Sequence, residues 1–335
     1  MIHRISTIDA HTAGEPLRLI VDGFPRPSGR TMLEKRAWVA KLHDRIRCAL
    51  MQEPRGHLDM YGAVLTEPVA PASDAGVLFM HNEGYSTMCG HGVIAVVTIG
   101  LERSLFLGHG DPPQVVLDSP AGPIRARATI EQTGESLRVR SVAFSNVPSF
   151  VLHAALPVQI NGRELRVDVA FGGAFYAVVD AEAIGVPVVG SRLPELRRLG
   201  MAIKRAVESA VTVVHPLERD LAGIYGTIFT GPPGDESADL RNVTIFADAE
   251  VDRSPCGTGT CAVMAILTAM GLLDESRTFT HESIIGTRFQ GRIVGRTRVG
   301  DYDAIVPAIE GSAWITGEHT FVIDDDDPLR EGFRL

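Results

Sequence analysis

Two cysteines in this chain are followed by the same glycine pattern and then by a long apolar stretch. Cys89-Gly-His-Gly begins one of these stretches, and Cys256-Gly-Thr-Gly begins the other. A helix that is apolar on all sides is a buried helix. A thiol at its N-terminus is shifted toward the thiolate by the unpaired N–H groups and the helix dipole. Two such thiols could remove a proton from one face of a carbon atom and deliver one to the other face, which predicts acid–base chemistry without a cofactor or a metal.

The glycines beside each cysteine predict a binding site for a small carboxylate. Gly90, Gly92, Gly257 and Gly259 have no side chains that would keep a ligand away from the N–H groups of the helix start. Hydrogen bonds to the carboxylate would also stabilise the enediolate that forms when an α-proton leaves. The predicted reaction centre is therefore the α-carbon of a small carboxylic acid.

Other interpretations of the cysteines are weaker. A cysteine among apolar residues is most often a small buried hydrophobe, and this is the interpretation of Cys48 and Cys261. A zinc site built from the two motifs and Cys261 has suitable ligand types, but its Cys-x-His and Cys-x4-Cys spacings are poor for a structural site. A dithiol redox site lacks the Cys-x-x-Cys spacing.

The two motifs belong to a longer internal repeat. Three further blocks occur twice, in the same order and at nearly constant separation: Tyr61–Pro68 with Tyr225–Pro232, Asp118–Gly122 with Glu282–Gly286 and, more weakly, Asp9–Gly14 with Asp168–Gly173. Such a repeat predicts two homologous halves related by a pseudo-twofold axis. Each half alternates short β-rich runs with one buried helix, which predicts an α+β protein with its site in the cleft between the halves.

The predicted bounds follow from this pattern. The domains are 1–150, with the C-terminal tail 305–335 as a candidate to complete it, and 151–304. The buried helices cover about 90–102 and 257–272. Amphipathic helices are predicted near Arg30–Met51, with Leu42, Ile46 and Leu50 on one face, and over Leu193–Ser209. The segment Ala304–Ile323 could add a last strand to either half.

Composition excludes several classes of protein. The chain has 335 residues and a formal net charge of −9, which argues against a nucleic-acid-binding surface. The longest apolar stretches, Val93–Leu101 and Ala262–Leu273, are shorter than the roughly 18–20 residues that cross a membrane. The N-terminus has no apolar signal core and predicts a first strand. Four cysteines without a disulfide-framework spacing indicate reduced thiols in the cytoplasm.

At these residues the sequence closely resembles the proline racemase family, which includes 4-hydroxyproline 2-epimerases and trans-3-hydroxy-L-proline dehydratases. The motifs that carry the resemblance are Asp9–Pro16, Glu53–His57, His81–His91 and Asp252–Gly259. The resemblance covers nearly the whole chain and implies the diaminopimelate-epimerase-like fold, with two halves that each wrap a central helix. It also implies proline or hydroxyproline as the substrate, no pyridoxal cofactor and, in many members, a homodimer.

The resemblance also implies residue roles. Cys89 and Cys256 would be the two acid/base thiols, and His91 and Asp252 would lie beside the ring nitrogen of the substrate. The implied carboxylate ligands are the backbone amides of Gly90, His91, Gly257 and Thr258. From the residue types alone, His91 could instead be a helix-start residue bonded to the backbone, and Asp252 a turn or capping residue.

The sequence indicates the family more clearly than it indicates which activity of the family this chain has. The flanking motifs are most similar to those of the trans-3-hydroxy-L-proline dehydratases, in which the second catalytic position is commonly Thr, whereas this chain has Cys256. We therefore favour a racemase or epimerase, with the dehydratase as the alternative. Candidate pocket walls are Ser86, Phe171, Tyr176 and His215, and structural or supporting roles are expected for His11, His57 and His81.

Two further alternatives remain from the sequence. A diaminopimelate epimerase would share the cysteine pair, but that family usually has Asn at the position of His91 and lacks the Glu53–His57 block. A non-enzymatic amino-acid binding protein would contain the thiols incidentally. Such proteins are usually exported, and no signal peptide is recognised here.

Overall fold

A computed structural model describes residues 2–134 and 136–334. The chain forms two compact units, Met1–Phe144 with Gly311–Leu335, and Ser145–Glu310. The predicted division placed the same two junctions a few residues away, after 150 and after 304. The unit that contains Cys89 is called the first unit below, and the unit that contains Cys256 is called the second unit.

In the part of the first unit that the structure describes, eight strands and three helices precede the second unit. The strands are β1 (Ile2–Thr12), β2 (Glu15–Asp22), β3 (Tyr61–Thr66), β4 (Ala75–His81), β5 (Tyr85–Ser86), β6 (Gln114–Ser119), β7 (Gly122–Thr133) and β8 (Ser136–Ser145). The helices are α1 (Met32–Leu42), α2 (Asp44–Met51) and α3 (Gly90–Glu102).

The second unit contains nine strands and two helices. The strands are β9 (Ser149–Ile160), β10 (Arg163–Phe171), β11 (Phe175–Asp180), β12 (Gly226–Gly231), β13 (Leu240–Phe246), β14 (Glu250–Asp252), β15 (Phe279–Ser283), β16 (Arg288–Val299) and β17 (Tyr302–Gly311). The helices are α4 (Leu193–Ala210) and α5 (Gly257–Ala269), and a 3₁₀ turn, Gly190–Arg192, precedes α4.

The C-terminal tail contributes to both units. The segment expected to form one last strand contains two, which are separated at Ser312. Strand β17 pairs with β16 and β9 in the second unit. The next strand, β18 (Ala313–Asp324), pairs antiparallel with β1 along its whole length and so belongs to the first unit.

Both units have the same order of strand pairing. In the first unit, β18, β1 and β2 are antiparallel neighbours, β2 is parallel to β3, β3 is antiparallel to β4, and β4 is parallel to β6. The second unit repeats this order with β9, β10, β11, β12, β13 and β15. The repeat detected in the sequence is therefore also a repeat of topology.

One buried helix lies against the strands of each unit. Helix α3 contacts strands β1, β2, β3, β7 and β18, and α5 contacts β9, β10, β11 and β16. Every residue from Gly90 to Leu101 is buried, as is every residue from Gly257 to Ile266. Burial on all sides explains why these stretches are apolar without an amphipathic period. The predicted helix 90–102 is confirmed, and the second helix ends three residues earlier than predicted.

The amphipathic helix predicted near Arg30–Met51 is wrong as a single element. His43 leaves the helical conformation, with φ −133° and ψ 14°, so the segment splits into α1 and α2. The imidazole of His43 packs on the Trp38 ring at 4.4 Å between centroids. The expected common face is also lost, because Leu50 is fully buried whereas Leu42 is 53% exposed. The helix predicted over Leu193–Ser209 is confirmed as α4.

The predicted α+β class is confirmed, since strands dominate and five helices are present among the described residues. Within the described part of the chain, no helix combines the length and apolar character needed to cross a membrane.

Candidate active site

Cys89 caps the N-terminus of α3 with its own sulfur. The residue has an extended backbone, φ −146° and ψ 113°, and its Sγ accepts a hydrogen bond from the Gly92 N–H at 3.3 Å. Cys89 is 6% exposed. A sulfur that accepts a backbone N–H at a helix start is in a setting that favours negative charge.

An imidazole lies beside this thiol. Cys89 Sγ is 3.2 Å from Nδ1 of His91, which is buried. The Tyr61 ring packs edge-on against the imidazole at 4.7 Å, and the Tyr61 hydroxyl donates to Ser86 Oγ at 2.6 Å. Thr12 donates to the His91 carbonyl at 2.9 Å. The imidazole is thus held where it can exchange a proton with the sulfur.

Cys256 has the same place in the second unit but a different backbone. Its Sγ accepts from the Gly259 N–H at 3.3 Å, as in the first unit. Its φ is +62° and its ψ 110°, a conformation that residues with a side chain rarely adopt. Instead of an imidazole, hydroxyls face the sulfur: Tyr176 at 3.7 Å and Thr258 at 3.9 Å, themselves 2.6 Å apart.

The protonation expected for Cys256 needs correction. The sequence predicted a thiolate at both helix starts, but burial raises the pKa of the Cys256 thiol to about 12, and the nearby Asp252 carboxylate adds to the increase. The hydrogen bonds from Tyr176 and the Gly259 N–H act in the opposite direction and are outweighed by burial. Cys256 is therefore a protonated thiol at neutral pH, which suits a proton donor.

Asp252 lies at the end of β14, four residues before the thiol, and is 6% exposed. Its Oδ1 accepts from the backbone N–H of Ser254 at 2.8 Å and from the Ser254 hydroxyl at 2.7 Å. The Ser254 hydroxyl in turn accepts from the Cys256 N–H at 3.1 Å. Burial raises the pKa of Asp252 to about 6. Asp252 thus shapes the turn that leads to Cys256 and is also a buried carboxyl that titrates near neutrality.

Packing explains two of the glycines that were assigned to ligand access. A Cβ on Gly92 would lie 2.5 Å from the Phe79 ring, and a Cβ on Gly259 would lie 2.9 Å from both Ile228 and the Cys256 sulfur. Because their N–H groups are bonded to the thiols, neither is a carboxylate ligand. The amides at the first two positions of each helix have no carbonyl partner within the helix. Those positions are Gly90, His91, Gly257 and Thr258.

The candidate pocket walls divide into two groups. Ser86 and Tyr176 contact the surroundings of the thiols, as described above. Phe171 and His215 instead pack on each other at 4.8 Å, and both rings contact Phe150. Phe171 and Phe150 belong to the hydrophobic core of the second unit, and His215 packs on both rings.

The remaining histidines and cysteines have varied surroundings. His11 stacks on Trp314 at 5.5 Å, His81 stacks on Tyr61 at 5.7 Å, and the exposed His57 contacts the neighbouring Leu58 carbonyl. Cys261 is fully buried, and burial raises the pKa of its thiol. Within residues 2–134 and 136–334, no three His, Cys, Asp or Glu side chains are grouped so as to hold a metal ion.

Sequence reasoning missed a polar cluster behind Cys256. His281, Asn242 and Thr260 are each fully buried, and the imidazole lies within hydrogen-bond distance of both other side chains. They are single residues in apolar surroundings, so no motif indicates them. Tyr61 was also missed as a neighbour of His91, although its recurrence in the repeat, as Tyr225, could have drawn attention to it.

Comparison with known proteins identifies the family. The family model described as proline racemase matches residues 7–334. The chain belongs to the proline racemase family. It is 50% identical over 330 residues to a trans-3-hydroxy-L-proline dehydratase of Bacillus cereus, which covers 98% of both chains. It is 43% identical to a 3-hydroxyproline 2-epimerase of Burkholderia multivorans, covering 98% of this chain and 97% of the relative.

Solved structures agree with this membership. A hydroxyproline epimerase from Agrobacterium vitis, solved with trans-4-hydroxy-L-proline bound, matches with a TM-score of 0.88 and 30% identity, covering 99% of this chain and 96% of that one. A phenazine biosynthesis protein of the PhzF family from Bacillus anthracis matches with a TM-score of 0.58 at 12% identity, over 96% of this chain and 99% of that one, and shows the fold alone. The predicted diaminopimelate-epimerase-like fold is confirmed.

Proposed function

We propose that this member of the proline racemase family removes water from trans-3-hydroxy-L-proline, with Cys89 as the base. The observation that carries the proposal is the buried pair of Cys89 Sγ and His91 Nδ1, 3.2 Å apart at a helix N-terminus. A single thiol that can be deprotonated is sufficient for an elimination. The names of relatives at 50% identity support dehydration more than the inversion that the sequence analysis preferred.

The stereochemistry of the substrate fits a single base. In trans-3-hydroxy-L-proline the hydroxyl and the carboxylate are on opposite faces of the ring, so the α-hydrogen and the hydroxyl share a face. The Cys89 thiolate takes the α-proton, the C3–O bond breaks, and the proton passes to the departing oxygen to give water. The enamine that remains moves a proton from nitrogen to C3 and becomes Δ1-pyrroline-2-carboxylate.

The other site residues have supporting roles in this proposal. The amides of Gly90, His91, Gly257 and Thr258 bind the carboxylate and stabilise its enediolate form. Asp252, when ionised, accepts from the ring ammonium, and His91 takes the thiol proton from Cys89 in the resting enzyme. The Cys256 thiol relays the last proton transfer: it gives its proton to C3 of the enamine and regains one from the ring nitrogen, in keeping with its raised pKa.

A second candidate function is inversion at the α-carbon of 3-hydroxyproline. The specific observation in its favour is Cys256, because an inversion needs a proton donor on the second face and this thiol is protonated at neutral pH. A relative at 43% identity is named a 3-hydroxyproline 2-epimerase. The homodimer and the cytoplasmic location stay predictions.

The test uses purified, reduced protein in D2O with trans-3-hydroxy-L-proline, trans-4-hydroxy-L-proline and L-proline in separate tubes, followed by proton NMR. Loss of the 3-hydroxy compound with growth of pyrroline-carboxylate signals is expected. Accumulation of the cis-3-hydroxy diastereomer with a deuterated α-carbon would instead establish the epimerase. Turnover of proline or the 4-hydroxy compound alone would contradict both candidates.

A further inference from the structure

A buried polar cluster lies behind the second thiol and makes no contact that the proposed reaction requires. Its members are His281 on β15, Asn242 on β13 and Thr260 on α5, all fully buried. Polar side chains in such a place are unfavourable unless they hydrogen-bond to one another or to the backbone. Asn242 and Thr260 share a partner, which is the backbone immediately before Cys256.

The Pro255 carbonyl is the point on which the cluster converges. Asn242 Nδ2 donates to it at 3.0 Å and Thr260 Oγ1 donates to it at 3.1 Å. The same peptide unit includes the Cys256 N–H, which donates to Ser254 Oγ at 3.1 Å. Both ends of this peptide are therefore fixed by side chains, and the peptide sets the direction in which the Cys256 side chain leaves the backbone.

His281 orients the two donors. Its Nδ1 is 2.9 Å from Thr260 Oγ1, and its Nε2 is 2.7 Å from Asn242 Nδ2. Because the Thr260 hydroxyl gives its only proton to the carbonyl, Nδ1 must donate to it. Asn242 Nδ2 is also 3.0 Å from Nδ1, so the amide packs against the imidazole rather than in line with one ring nitrogen. Burial lowers the pKa of His281 to about 3, which keeps the ring neutral.

In the first unit, apolar residues occupy the positions that correspond to Thr260 and His281. Val93 follows Cys89 at the distance at which Thr260 follows Cys256, and Leu117 precedes Asp118 as His281 precedes Glu282. Asp118 and Glu282 each accept from a backbone N–H of the matching loop, which supports the equivalence. Val93 and Leu117 are fully buried and apolar, and Cys89 there has an ordinary extended backbone.

We infer that His281, acting through Thr260 and Asn242, is a positioning residue that holds Cys256 in its left-handed backbone conformation and so aims the second thiol. A residue with a side chain remains in such a conformation only when its surroundings over-determine it. The kinetic part of this inference rests on the proposed function. The geometric part does not.

The test substitutes residues of the second unit by those of the first. Thr260→Val and His281→Leu remove the polar partners, whereas Thr260→Ser and His281→Asn retain a hydroxyl and a donor. Thr268→Val is the matched control, because this threonine is on the same helix and its hydroxyl bonds only a helix carbonyl, that of Met264, at 2.8 Å. All variants are compared by thermal unfolding before the measurements that follow.

The first readout needs no turnover. Iodoacetamide alkylation is followed for each cysteine by peptide mass spectrometry, with Cys89 as the internal reference. The rate at Cys256 relative to Cys89 is expected to rise at least about threefold in Thr260→Val and His281→Leu, since local opening exposes buried groups. It should return toward wild type in Thr260→Ser and His281→Asn. An unchanged ratio, or an equal rise in Thr268→Val, would overturn the inference.

The second readout is kinetic. With the hydroxyproline that the wild type turns over, Thr260→Val is expected to lower kcat about three- to tenfold at unchanged KM, as for a misplaced catalytic group. Recovery in Thr260→Ser is expected, and a change in KM alone would contradict positioning. If the wild type turns over no hydroxyproline, the proposed function fails while the alkylation result still decides whether His281 positions Cys256.

Discussion

The two thiol sites occupy equivalent positions in a repeated topology but differ in the side chains that lie beside the sulfur. Cys89 lies 3.2 Å from an imidazole nitrogen, whereas Cys256 faces the hydroxyls of Tyr176 and Thr258. Both sulfurs accept a helix N–H at the same distance of 3.3 Å. The helix start is therefore common to the two thiols, and the side chains beside each sulfur are what distinguish them.

The difference extends to the backbone. In the first unit Cys89 has an extended backbone with apolar residues behind it. In the second unit Cys256 has φ +62° and polar residues behind it. An elimination uses one base, and an inversion uses a base and an acid. The comparison teaches that a repeated strand-and-helix arrangement can surround equivalent thiols with different side chains, and the proposed function assigns the base to one copy and the proton donor to the other.

Substituting each of the two thiols in turn tests the difference between the two sites. This change is expected to have the largest effect. Cys89→Ser is expected to lower the rate of water loss at least about a thousandfold, because no base remains, and Cys256→Ser only about tenfold. Initial rates of pyrroline-carboxylate formation measure both. Cys48→Ser, at a half-buried cysteine outside the site, is the control and should behave as wild type. Equal losses in the two variants would mean that the thiols are equivalent.

Making the first site resemble the second should give the next largest effect. In His91→Thr the Cys89 thiol has no imidazole to take its proton, so kcat is expected to fall about a hundredfold. The rise of kcat/KM with pH should also move to higher pH. His109→Thr, at a histidine whose side chain is 80% exposed, serves as the control. A pH profile that keeps its position would argue that His91 has only a structural role.

Asp252 gives the smallest expected effect, on the pH dependence of stability. Burial raises the pKa of Asp252 to about 6, above its ordinary value near 3.8. The folded protein retains a proton that the unfolded chain releases, so this carboxyl stabilises the fold fully below about pH 4 and loses that contribution as pH rises through 6. Asp252→Asn should remove a decrease on the order of 2–3 kcal/mol between pH 4 and 7.

Urea unfolding of the wild type and Asp252→Asn at several pH values measures this difference. Asp274→Asn is the control, because Asp274 is on the surface and hydrogen bonds to Ser276 lower its pKa. Its substitution should not remove the decrease. Parallel curves for the wild type and Asp252→Asn would show that Asp252 is ionised throughout, and the second site would then resemble the first more closely than proposed.

The sequence predicted the helices that carry the two thiols well, because those helices depend on a local residue pattern. A helix buried on all sides must be apolar all round, so α3 and α5 were recognisable from residue type alone. The repeat around Cys89 and Cys256 predicted two equivalent units, and the structure shows the same strand order in both. The break at His43 was missed because no periodic signal marks it; there the backbone leaves the helical conformation and the imidazole packs on Trp38.

What the sequence by itself determined is the position of each thiol at a helix start, since Cys-Gly-x-Gly before an apolar run specifies that geometry locally. Only the tertiary structure decided that β18 completes the first unit, because strand pairing joins residues far apart in the chain. It also decided that burial raises the pKa of Cys256 and that Asn242 and Thr260, both in contact with His281, donate to the Pro255 carbonyl. Burial and long-range hydrogen bonds set these properties, and neither can be read from the residues adjacent to the thiol.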